Sequence, residues 1–173
     1  IGNNSTSNVS VPTAVLGMGA NNQSIVAREN HSCAIASGAA YCWGDGNHGD
    51  LGGGTATEIN YPAQVENFGL GGAVSIGGGV SDSCGLSNGG ILCWGNGSPG
   101  FLGRGDKADA PVARPVLEAP GVEFTQAAEV QLGYDSACAR KVDGTVWCWG
   151  NDASGQTGNA APFGRDVPVT AVV

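Results

Sequence analysis

Apolar and polar residues alternate along short stretches of the chain, and this alternation predicts β-strands. The alternating pairs are Val74 and Ile76, Ile91 and Cys93, Val130 and Leu132, and Val146 and Cys148. Between them, Asn88-Gly89-Gly90 and Asp143-Gly144 supply the positive φ angles that tight hairpin turns require. No longer window has helical apolar spacing, and 31 of the 173 residues are glycine, which is costly in helices. The pattern predicts an all-β fold.

A Cys-Trp-Gly tripeptide recurs three times at nearly even spacing. It lies at Cys42-Trp43-Gly44, Cys93-Trp94-Gly95 and Cys148-Trp149-Gly150, so that the tryptophans are about 51 and 55 residues apart. A period of this size is typical of stacked supersecondary units such as propeller blades. We therefore expect repeated blades and not one enzyme-like core.

The repeat extends beyond the tripeptide on both sides. Each first cysteine follows a short polar segment, which reads Asn30-His31-Ser32, Asp82-Ser83 or Asp135-Ser136-Ala137. After each tryptophan come a turn rich in Gly, Asn and Asp, a Leu-Gly or Thr-Gly pair, a polar stretch, and a proline followed by an apolar run.

This combined pattern resembles the repeat of the family named for the regulator of chromosome condensation (RCC1), and the resemblance covers essentially the whole chain. It implies propeller blades, each a four-stranded antiparallel sheet, in rings that typically have seven blades. Seven blades would need roughly twice this length. We therefore expect about three blades that form an incomplete ring or an arc of a longer propeller or blade array. The resemblance leaves function open, because family members range from nucleotide-exchange factors to inhibitors and photoreceptors.

Both ends of the chain lie at the same phase of the repeat. We expect one repeat region over 1–173, with repeats near 12–61, 62–114 and 115–167, and parts of flanking blades at 1–11 and 168–173. Three blades would leave a sheet face and an edge open at each end. We therefore expect either an excerpt of a longer protein or an arc completed by other copies.

The six cysteines form three local pairs, each of which brackets one predicted hairpin. The pairs are Cys33 with Cys42, Cys84 with Cys93, and Cys138 with Cys148. Their members can face each other across adjacent strands, which favours three disulfides. Zinc is the alternative, but no pair has the spacing of a Cys-x-x-Cys knuckle and the chain has only two histidines.

Disulfides are typical of an oxidising compartment, so we expect an extracellular or cell-surface protein. Five Asn-x-Ser/Thr sequons are candidate N-glycosylation sites. They lie at Asn3, Asn4, Asn8, Asn22 and Asn30. No apolar run approaches the ~20 residues that a membrane span needs.

The charge of the chain restricts its partners. Net charge is −8, from 7 Lys and Arg against 15 Asp and Glu. A nucleic-acid surface needs a basic stripe, so we expect neither nucleic acid nor anionic membranes as partners. Other proteins, further blades or copies of the same protein, and glycans remain candidates.

Two kinds of candidate site follow from the repeat. Trp43, Trp94 and Trp149 occupy equivalent positions, as expected for large side chains that pack between blades. Partner contacts are expected in the segments that vary between repeats, namely 54–61, 104–115, 118–129 and 159–168. The candidate contact residues are Arg104, Asp106, Trp147, Phe163 and Arg165.

No candidate catalytic or metal site stands out. The stretch Asp45–Asp50 is rich in oxygen ligands but lacks the spacing and the closing Glu of a calcium loop. His31 is expected to make a structural hydrogen bond, because no Ser, His and Asp constellation recurs. We expect no cofactor, no metal and no enzymatic activity.

Three functions are compatible with these features. The first is a non-enzymatic extracellular structural or adhesive repeat module, as a section of a larger surface protein or fibre. The second is a secreted protein-binding or inhibitor propeller, although only 6% of the residues are aromatic. The third is an intracellular exchange factor, against which the paired cysteines argue.

Overall fold

The computed structural model describes residues 1–69, 72–160 and 164–171, and these residues form three antiparallel four-stranded sheets. Blade 1 contains β1 (Asn22–Ala27), β2 (His31–Ala36), β3 (Ala39–Gly44) and β4 (Ile59–Gln64). Blade 2 contains β5 (Ala73–Gly78), β6 (Asp82–Ser87), β7 (Gly90–Gly95) and β8 (Ala110–Pro115). A short hairpin, β9 (Leu117–Ala119) and β10 (Val122–Glu123), precedes blade 3. Blade 3 contains β11 (Ala127–Leu132), β12 (Ser136–Lys141), β13 (Val146–Gly150) and β14 (Arg165–Thr170).

Within each blade, neighbouring strands in the sequence are neighbours in the sheet. The central hairpins have a common register, in which the two cysteines of each predicted pair lie opposite each other. The two-residue turns Ser37-Gly38 and Asn88-Gly89 have positive φ at both positions, as a type I′ hairpin turn requires. Local turn chemistry thus sets the register of these two hairpins.

The three sheets are arranged as blades of an open arc and not as a closed ring. The first strands lie side by side, because β1 packs against β5 and β5 packs against β11. This arrangement confirms the all-β, three-blade prediction. The sheets run over 22–64, 73–115 and 127–170, whereas the predicted repeats end at 61, 114 and 167, inside β4, β8 and β14.

The hydrophobic core lies between the blades. One buried cluster joins the Cys33 and Cys42 disulfide of blade 1 to Trp94 of blade 2. A second cluster joins the Cys84 and Cys93 disulfide of blade 2 to Trp149 of blade 3. A four-stranded sheet of this size has too little interior of its own, so each blade buries its faces against its neighbours.

Candidate functional site

The tryptophans of the Cys-Trp-Gly repeat join each blade to the turn of the blade before it. The indole Nε1–H of Trp94 donates a hydrogen bond to the carbonyl O of Asp50 at 2.9 Å, and that of Trp149 donates to the carbonyl O of Phe101 at 2.7 Å. We call these two contacts the first joint and the second joint. Both rings are fully buried, so each hydrogen bond satisfies an indole N–H that water cannot reach.

The Leu-Gly pair of the repeat makes room for these rings. A Cβ on Gly52 would lie 3.0 Å from Nε1 of Trp94, and a Cβ on Gly103 would lie 2.9 Å from Nε1 of Trp149. Both glycines also have positive φ. At blade 1, Gly2 lies against Trp43 in the same way, with its Cβ position 2.8 Å from Nε1. The segment before β1 therefore lies against blade 1 as the β3–β4 loop of blade 1 lies against blade 2.

An aromatic side chain from the connection between blades closes the first joint. The ring of Phe68 meets that of Trp94 edge to face, with 5.5 Å between centroids. It lies directly over Gly85, where a Cβ would be 2.2 Å from the Phe68 Cζ. Gly85 corresponds to Ala34 of blade 1 and Ala139 of blade 3, which lie at the same register position of their hairpins. The glycine is therefore particular to blade 2.

The cysteines are bonded within each blade. Disulfides join Cys33 to Cys42, Cys84 to Cys93, and Cys138 to Cys148, and none of the six cysteines is free. Each bond links β2 to β3, or the corresponding strands of the other blades, at one register position. The disulfides therefore lie in the middle of the sheets, next to the tryptophans.

The predicted contact residues lie on two different faces of the arc. Because the strands are antiparallel, the β3–β4, β7–β8 and β13–β14 loops share one edge with the β1–β2, β5–β6 and β11–β12 turns. We call this edge the loop face. The opposite edge carries the β2–β3, β6–β7 and β12–β13 turns, and we call it the hairpin face. Arg104 and Asp106 belong to the loop face, Arg165 begins β14 there, and Trp147 lies beside the hairpin face. Phe163 lies outside the described residues.

Asp106 is the exposed partner of an inward-facing arginine. The guanidinium of Arg104 donates to Oδ1 of Asp106 at 2.7 Å and to the carbonyl O of Ala108 at 2.8 Å. The Arg104 side chain is 8% exposed, against 54% for Asp106. Arg104 thus holds the loop together, and Asp106 is the member of this pair that a partner can reach.

Trp147 belongs to a cation–π cluster that the sequence analysis missed. The Nζ of Lys141 lies 4.7 Å from the centroid of the Phe124 ring and 4.8 Å from that of Trp147. The same ammonium donates to Oε2 of Glu118 at 2.6 Å. Glu118 lies in β9 and Phe124 directly follows β10. The cluster thus ties the variable segment 118–129, an insertion between blades 2 and 3, to blade 3. No periodicity links residues of an insertion to β12 and β13, so the sequence carried no signal for it.

The five sequon asparagines all precede β2. Asn4, Asn8, Asn22 and Asn30 are exposed, and Asn3 is partly buried with its Oδ1 accepting a hydrogen bond from the Ser5 amide at 3.1 Å. The candidate glycosylation sites are therefore confined to blade 1 and the segment that covers it.

Three titratable side chains are buried near the first joint. His31 has its Nε2 at 3.0 Å from Oγ of Ser83, a contact between blades 1 and 2, and burial lowers its pKa. Burial raises the pKa of Asp50 to about 7 and that of Asp82 to about 7. Phe101 and Ser136 occupy the positions of the second joint that correspond to Asp50 and Asp82, so the two aspartates are particular to the first joint.

Neither a metal cluster nor a membrane helix is found in the part of the chain that the structure describes. Over residues 1–69, 72–160 and 164–171, no group of three or more His, Cys, Asp or Glu side chains could hold a metal ion. Over the same residues, no helix has the length and apolar character needed to cross a membrane.

Comparisons with known proteins agree with this architecture. A family model described as "Regulator of chromosome condensation (RCC1) repeat" matches residues 37–86, and a second model with that description matches residues 128–156. The chain is 32% identical over 137 residues to the ultraviolet-B receptor UVR8 of Arabidopsis thaliana. The aligned region covers 78% of this chain and 30% of the receptor. It is 29% identical over 141 residues to the human E3 ubiquitin-protein ligase HERC2. The aligned region covers 80% of this chain and 3% of the ligase.

Two solved structures share the fold. The crystal structure of human WBSCR16 superposes with a TM-score of 0.70 at 22% identity, over 84% of this chain and 36% of that one. The structure of yeast RCC1 (Prp20) bound to Kap60 gives a TM-score of 0.68 at 21% identity, over 83% of this chain and 34% of that one. This chain therefore spans about a third or less of each of these four proteins.

Proposed function

Because the chain is made of repeats of the regulator of chromosome condensation (RCC1) type, we propose that it is a non-enzymatic module that binds other proteins through the loop face of its blades. The observation that carries this proposal is the arrangement of the loops. The three blades form a frame with a core between them, and three of the four variable segments, 54–61, 104–115 and 159–168, follow the loop face of this frame.

The charge of the loop face favours a basic partner. Its acidic side chains outnumber its basic ones, which are Arg28, Arg104, Lys107 and Arg165. The exposed or partly exposed acidic residues there are Glu29, Asp45, Glu58, Asp106, Asp109, Asp135 and Asp166. A surface of one sign attracts partners of the other sign and raises their association rate.

Solved structures of proteins with this fold are consistent with protein binding. Yeast RCC1 (Prp20) was crystallised with Kap60 bound, and another structure of the same protein is described together with its binding to Gsp1p and histones. These partners are those of Prp20. For this chain, they support the class of partner, which is another protein.

A capture experiment with matched charge variants tests the proposal. Proteins captured from the secreted fraction and from the cell extract of the source organism are purified and measured for direct binding in 50 and 300 mM NaCl. We expect Glu29→Lys/Glu58→Lys on the loop face to weaken binding by at least about tenfold, because both side chains are exposed and removal of charge complementarity slows association. The hairpin-face control Glu123→Lys/Asp143→Lys, with the same change in charge, should bind like the wild type. Equal loss in both variants, or no direct binder, contradicts the proposal.

Within this class, we propose an extracellular structural or adhesive role. The three disulfides support this role, because such bonds persist in oxidising compartments. Mass spectrometry of the native protein after alkylation, without and with reduction, provides the test. Six protected cysteines are expected before reduction, and six alkylated ones would contradict the extracellular assignment while leaving the protein-binding proposal intact.

A further inference from the structure

The first joint contains two buried carboxyl groups that come from different blades. Asp50 lies in the turn after β3 of blade 1 and is 3% exposed, and Asp82 begins β6 of blade 2 and is 5% exposed. Oδ1 of Asp50 is buried without a hydrogen-bond partner. The backbone carbonyl of this same Asp50 accepts the indole hydrogen bond of Trp94. The side chain and the joint thus share one residue.

Gly95 lies in β7 opposite Asp82, and the position of its missing Cβ is close to both aspartates. A Cβ on Gly95 would lie 3.2 Å from Oδ1 of Asp50 and 2.8 Å from the Cα of Asp82. With glycine at this position, the Asp50 carboxylate lies close to the backbone of Asp82. Both carboxyl groups are buried, so two ionised carboxylates would repel each other with little screening by water.

The surrounding groups leave this negative charge largely uncompensated. Asp45 and Asp109 add negative charge near Asp50, and Asp50 adds it near Asp82. His48 is the basic side chain that counteracts this charge at Asp50. Among the described residues, no Lys, Arg or His forms an ion pair with either carboxylate.

The basic side chains in this region have other partners, since Nδ1 of His48 lies 3.5 Å from Oδ2 of Asp109. His31 begins β2 and contacts Oγ of Ser83, and Nε of Arg28, in the turn after β1, donates to the carbonyl O of Gly78 at 2.7 Å. The local excess of acidic groups therefore makes full ionisation of the pair unfavourable in the closed joint.

The second joint has the same geometry without the acids. Trp149 donates to the carbonyl O of Phe101, which takes the place of Asp50, and Ser136 takes the place of Asp82 opposite Gly150. Each molecule therefore contains one joint with the carboxyl pair and one joint without it.

We propose that the first joint is an acid-stabilised contact between blades, which is tight when Asp50 or Asp82 is protonated and loosens when both ionise. Loosening frees the Trp94 indole from the Asp50 carbonyl and lets blade 1 move relative to blade 2. The position of the blade 1 loops relative to the blade 2 loops on the loop face then differs between acidic and neutral or alkaline surroundings. The raised pKa values of both groups, near 7, agree with a change in this range.

Hydrogen exchange of the two indole N–H groups tests this proposal in a single sample. The protection factor of the Trp94 indole is measured by NMR between pH 5.5 and 8.5 and divided by that of the Trp149 indole. The ratio cancels the pH dependence of the exchange chemistry and of global unfolding. We expect the ratio to fall by about tenfold or more, since one pKa unit corresponds to a tenfold change in equilibrium.

The variants Asp50→Asn and Asp82→Asn keep the shape of the side chains and remove the charges. Either variant should flatten the dependence of the ratio on pH, whereas the exposed control Asp143→Asn should leave it unchanged. A constant ratio in the wild-type protein would overturn the proposal. Loss of protection at both indoles together, or a pH dependence that persists in Asp50→Asn/Asp82→Asn, would also overturn it.

Discussion

At the scale of single residues, small side chains decide how closely the blades approach each other. Gly85 is an example, because the Phe68 ring occupies the space where a Cβ would be. The backbone of Gly85 lies in an ordinary strand, in β6, without positive φ. The need for glycine at this position thus comes from a contact with another part of the chain and not from backbone conformation.

We expect Gly85→Ala to destabilise the protein by about 1–3 kcal/mol, because the added methyl group displaces a buried aromatic ring. Urea unfolding followed by tryptophan fluorescence measures this effect. Gly53→Ala is the matched control, since a Cβ there meets no atom within 4 Å and φ is not positive. An effect of Gly85→Ala no larger than that of the control would show that Phe68 can move aside without cost.

Lys141 shows that a charged residue can be part of the core when its partners are in place. Its ammonium group contacts two aromatic rings and the Glu118 carboxylate. We expect Lys141→Met to cost about 1–3 kcal/mol, because the cation–π contacts are lost and Glu118 loses its partner. Chemical denaturation of the variant provides the measurement. Lys107→Met removes an exposed lysine and should have little effect, and equal effects of the two variants would contradict this role.

At the scale of the element, the central hairpin of each blade is the repeated unit. Two strands, a tight turn and one disulfide form a local structure, in which even the outermost strand pairs, such as Ser136 with Gly150, are close in the sequence. Such short-range pairing explains why the cysteine spacing and the turn residues predicted the hairpins well.

Replacement of both cysteines by serine in one blade should therefore cost about 2–3 kcal/mol, since a disulfide of this loop length removes that much chain entropy from the unfolded state. Thermal unfolding of C33S/C42S, C84S/C93S and C138S/C148S measures the cost in each blade. The three sequence separations are 9, 9 and 10 residues, so the chain-entropy term should be nearly equal. Reduction of the wild type that leaves its melting temperature unchanged would speak against a stabilising role.

At the scale of the whole molecule, stability depends on the contacts between blades, because the buried clusters lie there. The ionisable groups at the first joint make this stability depend on pH. The pKa values of Asp50 and Asp82 are raised to about 7, so the folded state binds more protons than the unfolded state from about pH 4 up to about pH 7. Stability falls over this interval as pH rises.

His31 acts in the opposite direction. Its pKa is lowered by burial, so the unfolded state takes up the proton first and stability declines as pH falls below about 6.5. Two aspartates outweigh one histidine, and we expect the free energy of unfolding to be lower at pH 8 than at pH 5 by on the order of 2 kcal/mol. Urea titrations at both pH values provide the measurement, with Asp50→Asn/Asp82→Asn as the comparison. A wild-type protein that is more stable at pH 8 would contradict this assignment of the buried charges.

The sequence by itself determined the strands, the three-blade organisation and the position of the tryptophans. These features depend on local signals, namely side-chain alternation, turn residues and the repeat of Cys-Trp-Gly. Each signal is contained within one blade, and its physical cause lies within a few residues of the chain.

The tertiary structure alone decided which side chains meet between blades. Asp50 and Asp82 belong to different sheets, Phe68 reaches Gly85 from a connection between sheets, and Lys141 enters a cluster with residues of an insertion. Neither spacing nor periodicity specifies such pairs, because the angle between neighbouring blades determines them. Likewise, only the direction of the strands placed Asp106 on the loop face and Trp147 beside the hairpin face. The antiparallel sheets bring together turns that are far apart in the sequence.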